Sequence, residues 1–149
     1  LYGMTKNIIL KQNKKDMNTR DLRIDDFVYY TDEKCKIIEI SRSQVAMLRG
    51  RLYKCGLTDV SDIQPIPITD ELLEKIGFKN KIRASHSLGY RFVSDTCYAL
   101  IWHIKESDAY LIRTLNNESV TIGEKRISYL HQLQHELYDA GIDIKIELE

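Results

Sequence analysis

The amino-acid sequence predicts an α+β protein, with a small N-terminal SH3-like antiparallel β module followed by an antiparallel sheet that one long C-terminal helix covers. Three observations predict this fold. Short β-rich runs alternate with turn residues between positions 27 and 63. Both prolines of the 149-residue chain stand together at 65 and 67, directly before a helix signal. Strand signals then resume at Tyr90 and end in an amphipathic helix.

The first module is predicted from residue 21 to residue 64. Its strand signals are 27–30, 36–40, 45–48 and 51–57, with 60–63 as a candidate last strand. Short strands at this spacing, separated by turn residues such as those at 31–33 and 41–43, favour a small antiparallel sheet or a partly closed SH3-like barrel. Residues 1–20 are polar and rich in lysine, and we expect them to form a flexible tail.

The prolines mark a stiff spacer, residues 65–68, between the two modules. Proline fixes its own backbone and pushes the preceding residue out of the helical region, so Gln64 and Ile66 are expected to be extended. A helix follows directly, because Thr69 is a good N-cap and Gly77 suits the position that ends a helix. The second module is therefore predicted over residues 69–149.

This second module is predicted to be a meander followed by a helix. Its strand signals are 90–93, 98–104, 110–115 and 119–122, and residues 79–89 are interpreted as a polar, basic loop. The strand at 98–104 is apolar on both faces, which predicts a central strand under a helix. Apolar residues at helical spacing place that helix at 125–140. Alternation over 142–148 predicts a final half-buried strand with an acidic solvent face.

Composition excludes several classes of protein. Basic and acidic residues number 22 each, so overall charge attracts the chain to neither nucleic acid nor a membrane surface. The longest apolar runs are far shorter than the roughly 20 residues that cross a bilayer, and Ile8–Leu10 is too short for a signal peptide. Three cysteines (Cys35, Cys55 and Cys97) without CxxC spacing favour a reducing compartment. We therefore expect a cytoplasmic protein that does not bind membranes.

Three segments carry a resemblance to a known group. They are DLRIDDFVYY at 21–30, IQPIPITDELLEKIGF at 63–78 and ISYLHQLQHELYDAGIDIKI at 127–146. Together they resemble small uncharacterised proteins encoded by bacteriophages and mobile elements of gut Bacteroides-like bacteria. The chain departs from that group at Asp25 and Asp26, where glycine and asparagine are usual, and after Gln134, where an aromatic run is missing. The resemblance implies a phage-like origin and a cytoplasmic location, and it implies no active-site residues.

Candidates for chemistry are few. His131 and His135 have the i, i+4 spacing of a zinc helix, but the glutamate of HExxH is missing and no third ligand stands nearby, so packing at a helix edge is favoured. His103 is interpreted as a structural histidine. A nucleophilic pair of Cys97 with a histidine has no local signature, although such partners meet in space. No glycine-rich phosphate loop is present either. We therefore predict no catalytic residues, no metal and no cofactor.

Charge placement is the remaining signal. Residues 34–54 contain six basic residues and one acid, residues 79–91 contain four basic residues and no acid, and residues 136–149 contain five acids and one lysine. Basic strands with interleaved aromatics suit a phosphate backbone or an acidic partner. The opposing interpretation is a solvated face that complements the acidic C-terminal segment of the same or a neighbouring chain.

Three functional hypotheses follow. The first is a non-enzymatic phage-type accessory protein that binds a macromolecular partner, a host or phage protein, through a basic β surface. The second is a nucleic-acid-binding protein that uses the same surface. The third is a homo-oligomer that sequesters a nucleotide-like ligand, with phosphate contacts from Arg83, His86 and Arg91. The predicted contacts for the first two hypotheses are Arg42, Arg49, Arg51, Tyr53 and Lys54.

Overall fold

The computed structural model describes residues 17–50, 53–84, 87–104 and 106–146, with only the backbone described for 80–84 and 87–88. In this part of the chain the protein is α+β, with two antiparallel five-stranded sheets and two α-helices, which confirms the predicted class. The chain divides into two compact units between Pro65 and Ile66, inside the spacer that the prolines mark. No described helix is long and apolar enough to cross a membrane.

The first unit is a five-stranded antiparallel sheet. Its strands are β1 (Phe27–Tyr30), β2 (Glu33–Ile40), β3 (Gln44–Arg49), β4 (Tyr53–Asp59) and β5 (Ile63–Pro65). Their order is β4-β3-β2-β1-β5, so β5 returns along the free edge of β1. A single 3₁₀ turn, Val60–Asp62, precedes β5. The register shifts between Ile37 and Glu39 of β2 and between Val45 and Met47 of β3, and such bulges increase the twist of a sheet.

One face of this sheet forms the core of the first unit. Alternation along the strands brings fully buried side chains together there, among them Val28, Cys35, Ile37, Val45, Met47 and Ile63. Met17 and Leu22 also belong to this core. The tail predicted over residues 1–20 therefore needs a correction at its end, because the apolar side chain of Met17 is buried and residues 19–21 form a 3₁₀ turn. Residues 1–16 of that tail lie outside the described residues.

The second unit combines a five-stranded meander with two helices. Its elements are α1 (Asp70–Ile76), β6 (Lys79–Ala84), β7 (Ser87–Val93), β8 (Cys97–His103), β9 (Tyr110–Asn116), β10 (Thr121–Ile127) and α2 (Leu130–Asp139). The strand order is β10-β9-β8-β7-β6, with β8 in the centre as predicted.

The proline stretch has a direct structural role at the start of this unit. Ile66 accepts a backbone hydrogen bond from Leu130, and the backbone N–H of Ile68 donates to Ser128. Pro67 lies between them, where its missing N–H costs no bond. The predicted helix then begins, with the Thr69 hydroxyl accepting from the Leu72 N–H at 3.1 Å.

Both helices lie on the same face of the second sheet. From α2, Leu130, Leu133 and Leu137 are fully buried. At the C-terminal end of α2, the Cys97 thiol donates to the Ala140 carbonyl at 3.3 Å. From α1, Asp70 accepts from the Tyr110 hydroxyl at 3.4 Å. Cys97 and His103 are an even number of residues apart on β8, so their side chains project from the same face. Tyr110 is directly opposite His103 on β9 and therefore projects from that face as well.

Three predictions for the second unit were wrong in part. Residues 79–84, predicted as loop, pair with β7 as strand β6. The predicted helix starts five residues late, because Lys125 and Ile127 pair with β9 and α2 begins only at Leu130. Residues 142–146 form no strand: the Ile142 N–H donates to the Leu137 carbonyl at 2.8 Å and closes the helix end instead. Residues 147–149 lie outside the described part of the chain.

The tyrosine that joins α1 to the sheet predicts a pH dependence. Burial, and secondly the neighbouring Asp70 carboxylate, raise the pKa of Tyr110 from 10.0 to about 12. Stability from the neutral phenol is therefore complete below pH 10 and is lost as the pH rises towards 12, because the unfolded chain ionises first. Urea unfolding between pH 9 and about 11.5 should show a falling midpoint, and Tyr110→Phe should flatten that fall. An unchanged slope in Tyr110→Phe would contradict this assignment.

Candidate binding surface

The first sheet presents an outer face opposite its core. Ile37, Met47 and Cys55 are opposite each other on adjacent strands and point into the core. The next row therefore points outward, because successive side chains alternate between faces. This row consists of Phe27, Lys36, Leu48 and Lys54, of which Phe27 is buried.

We call the group Lys34, Lys36, Leu48 and Lys54 the lysine face. Lys34 lies two residues from Lys36 on β2, about 7 Å along the strand, and Lys54 lies two strands away, about 10 Å across the sheet. Leu48 is half-buried at the centre, and Lys54 is exposed. The Asp25 carboxylate approaches the Lys36 ammonium at 3.9 Å and is itself 75% exposed. Among the described residues, Lys34 and Lys54 have no carboxylate within salt-bridge distance.

Arg49 belongs to the opposite face of the same sheet. It is the register partner of buried Cys35, and its guanidinium forms a two-point contact with the Glu33 carboxylate. That hydrogen bond lowers the pKa of Glu33 and raises the pKa of Arg49, as expected for a bidentate ion pair. The charge of Arg49 is therefore largely compensated within the unit.

The other predicted contact residues are distributed around the sheet. Tyr53 pairs with Arg49 across the β3–β4 hairpin and is 65% exposed. Lys54 points to the other face and belongs to the lysine face. Arg42 is exposed in the turn between β2 and β3, at the opposite end of β3 from Arg49, and its carbonyl accepts from the Thr19 hydroxyl. Arg51 lies outside the described residues. The structure thus brings Arg49 and Tyr53 together and places Arg42 and Lys54 elsewhere.

The three residues predicted to hold phosphates belong to the second unit. Arg83 lies in β6, where only the backbone is described, and His86 lies outside the described residues. Arg91 is exposed on β7, and its guanidinium lies over the Tyr98 ring at 5.0 Å. Of these three side chains, only that of Arg91 is described, so the structure does not place the three residues around a common phosphate.

The histidines and the cysteine considered for catalysis or metal binding make packing and hydrogen-bond contacts within the second unit. His131 is buried, and its ring lies edge-on to the His135 ring at 5.8 Å between centroids. His103 contacts the Tyr110 ring edge-on at 5.0 Å. The Cys97 thiol lies 3.4 Å from the Ser94 hydroxyl, and it donates a hydrogen bond to the Ala140 carbonyl. In the described ranges, no three His, Cys, Asp or Glu side chains come close enough to hold a metal ion.

Lys34 and Lys36 are two of the six basic residues of segment 34–54, and they are not among the contact residues predicted from the sequence. The signal for them is local. They alternate with Cys35 and Ile37, which are the apolar positions of the same strand, so a period of two already assigns the lysines to the solvent side.

Comparison with protein-family models, with curated proteins and with solved structures finds no match for this chain.

Proposed function

We propose that the protein is a non-enzymatic accessory protein that binds an acidic protein partner through the lysine face. The observation that carries this proposal is the grouping of three lysine side chains around half-buried Leu48 on one side of the sheet. An apolar centre with charged residues around it is the usual anatomy of a protein–protein interface. Lysine ammonium groups around it favour a partner that presents carboxylates.

We include in this proposal a phage or mobile-element origin and a cytoplasmic location, because segments 21–30, 63–78 and 127–146 resemble proteins of that origin. It also includes an SH3-like barrel for the first unit. Five short antiparallel strands support that fold, since β5 closes back on β1 and bulges in the central strands increase the coiling of the sheet.

Nucleic acid is the second candidate for the lysine face, because the same ammonium groups suit phosphates. The two candidates differ in salt dependence. Binding to duplex DNA should weaken steeply with salt, with a logarithmic slope of about −0.9 for each phosphate contacted. Two aromatic residues of β1 lie opposite the lysines: Phe27, beside Lys36, is buried, and Tyr29, beside Lys34, is half-buried. Neither ring is fully exposed, so we favour the protein partner.

Charge reversal on the lysine face tests the proposal. The variant Lys34→Glu/Lys54→Glu spares Lys36, which contacts Asp25. Tagged protein is used to capture partners from cells that naturally contain the chain, and quantitative mass spectrometry compares the variants. We expect the variant to lose the acidic proteins that the unmodified chain retains, by about tenfold or more, since like charges at an interface cost several kcal/mol.

A matched control carries the same change of charge elsewhere. Lys75→Glu/Lys145→Glu alters two exposed lysines of the second unit and should keep the captured partners. Circular dichroism checks that both variants fold. Equal capture by both double variants would contradict the proposal. Loss of binding to a 20-base-pair duplex in the first variant, without loss of a protein, would favour nucleic acid instead.

A further inference from the structure

The second sheet has a face that its two helices do not cover. Helices α1 and α2 contact the face that carries Cys97 and Tyr110, so the alternate residues point the other way. On the central strand β8, these are Tyr98, Leu100 and Trp102, and all three are partly exposed. No described helix of this unit lies over them.

A single cross-strand row runs across this whole face. Its members are directly opposite one another on successive strands from β6 to β10: Lys79, Arg91, Leu100, Arg113 and Glu124. In the neighbouring row, Leu111 stands beside Trp102, and Arg126 lies beyond Leu111, two strands from Trp102. Gly89, which has no side chain, completes that row on the other side of Trp102.

Two arginine–aromatic pairs stand on this face. The Arg91 guanidinium lies 5.0 Å from the centroid of the Tyr98 ring, and the Arg113 guanidinium lies 5.4 Å from the centroid of the Trp102 ring. Tyr98 and Trp102 are four residues apart on one strand, about 13 Å. We call Lys79, Arg91, Tyr98, Trp102, Arg113 and Arg126 the arginine–aromatic face.

The charge of this face is strongly one-sided. Its described residues include four cations and one carboxylate, Glu124, which accepts a 2.7 Å hydrogen bond from Arg113. Arg126 donates to the Ser107 hydroxyl, and Arg91 and Lys79 are exposed. The face therefore offers positive charge around two aromatic rings that lie in the middle of the sheet.

We propose that the arginine–aromatic face binds single-stranded nucleic acid. Aromatic rings and guanidinium planes stack on unpaired bases, and cations on the same surface track the phosphates. Bases stack at Tyr98 and Trp102, and Arg91, Arg126 and Lys79 neutralise the backbone on either side. A duplex would offer the phosphates without free base faces, so a single strand fits both parts of the surface.

A second copy of this chain suits the face less well. A two-fold interface brings the same patch of both copies together, so four cations would meet four cations. Each copy would contribute one carboxylate, and Arg113 already uses it. Charge complementarity therefore favours a polyanion over self-association.

Intrinsic fluorescence provides a direct test, because Trp102 is the single tryptophan of the chain. We expect a 12-mer oligothymidylate or oligouridylate to quench this fluorescence at low salt. The affinity should fall with salt with a logarithmic slope of about −2 to −3, as three or four phosphate contacts to a single strand predict. Comparison of oligouridylate with oligodeoxyuridylate, which share the base, shows whether the sugar matters.

Substitutions locate the site independently of tryptophan fluorescence. In anisotropy titrations with labelled oligonucleotide, Trp102→Ala and Tyr98→Ala should each weaken binding about 5- to 150-fold. Arg126→Ala, an exposed change, should reduce the salt slope by about 0.7. Tyr53→Ala in the first unit is the matched aromatic control and should have no effect. Circular dichroism shows which variants fold, and Arg126→Ala tests the site even if an aromatic variant unfolds.

Three results would overturn the proposal. One is the absence of quenching and of binding at low salt. Another is single-strand binding that Lys34→Glu/Lys54→Glu abolishes while Trp102→Ala and Arg126→Ala leave it unchanged, which would assign it to the lysine face. The third is a dimer in analytical ultracentrifugation that Trp102→Ala dissociates, which would make this face a contact between copies. The first and third outcomes leave capture of a protein by the lysine face unaffected, whereas the second would make nucleic acid a ligand of that face.

Discussion

Replacing Leu133 by alanine will destabilise the second unit by about 2–5 kcal/mol. Leu133 lies in the middle of α2 and is fully buried on the sheet. The substitution removes three carbon atoms from a packed interior and leaves a cavity, because neighbouring backbone cannot close in. Alanine has a higher helix propensity than leucine, so the helix itself does not weaken. The loss therefore measures packing between α2 and the sheet.

Urea unfolding followed by the fluorescence of Trp102 measures the free energy of unfolding of the second unit, because Trp102 lies on the central strand of that unit. Tyr138→Ala is the control on the same helix. Tyr138 is 78% exposed, so its removal should change the free energy of unfolding by no more than about 0.5 kcal/mol. A change below 1 kcal/mol for Leu133→Ala would show that α2 does not pack on the sheet as described.

Replacing Gly77 by alanine should destabilise the same unit by about 2–4 kcal/mol. Two effects add. Gly77 ends α1 with φ of 121°, a conformation that side-chain-bearing residues rarely adopt. An added methyl group would also stand 3.0 Å from Cε2 of Phe92. The Phe92 ring can move away only by disturbing its contact with the buried Phe78 ring, 5.4 Å between centroids.

Gly141→Ala separates these two effects. Gly141 also has a positive φ, 79°, but an added methyl group there meets nothing within 4 Å. Only the backbone cost remains, about 1–2 kcal/mol. The same fluorescence-detected unfolding should therefore show a larger loss for Gly77→Ala than for Gly141→Ala. Equal losses would mean that the Phe78–Phe92 contact does not restrict the end of α1.

The sequence predicts best those helices and strands whose own residues mark where they begin and end. Helix α1 is an example, because Thr69 and Gly77 mark both ends and the structure places the cap and the positive φ there. Strand β1 matches its predicted bounds for the same reason. Helix α2 was predicted too early, because Ile127 fits a helical stripe and a strand equally well. Only its pairing with Tyr110 decides between them.

Cross-strand register limits what the sequence reveals about the surfaces. Alternation assigns Lys34 and Lys36 to the solvent side of β2, but the bulges in β2 and β3 decide which residues they stand beside. The pairing of Arg49 with Glu33 depends on that register. The arginine–aromatic face depends on five aligned strands, one of which, β6, carries too weak an alternation to be predicted. Its residues are therefore grouped only in three dimensions.

Photo-crosslinking from position 48 probes binding of a partner protein to the lysine face. A photoreactive residue in place of Leu48 lies between Lys36 and Lys54, whereas the same residue in place of Val120, which is 54% exposed in the second unit, serves as the control position. We expect one protein adduct from position 48 that Lys34→Glu/Lys54→Glu abolishes, and none of that adduct from position 120. An adduct that forms equally from both positions, or that survives the charge reversal, would rule out binding of this partner through the lysine face.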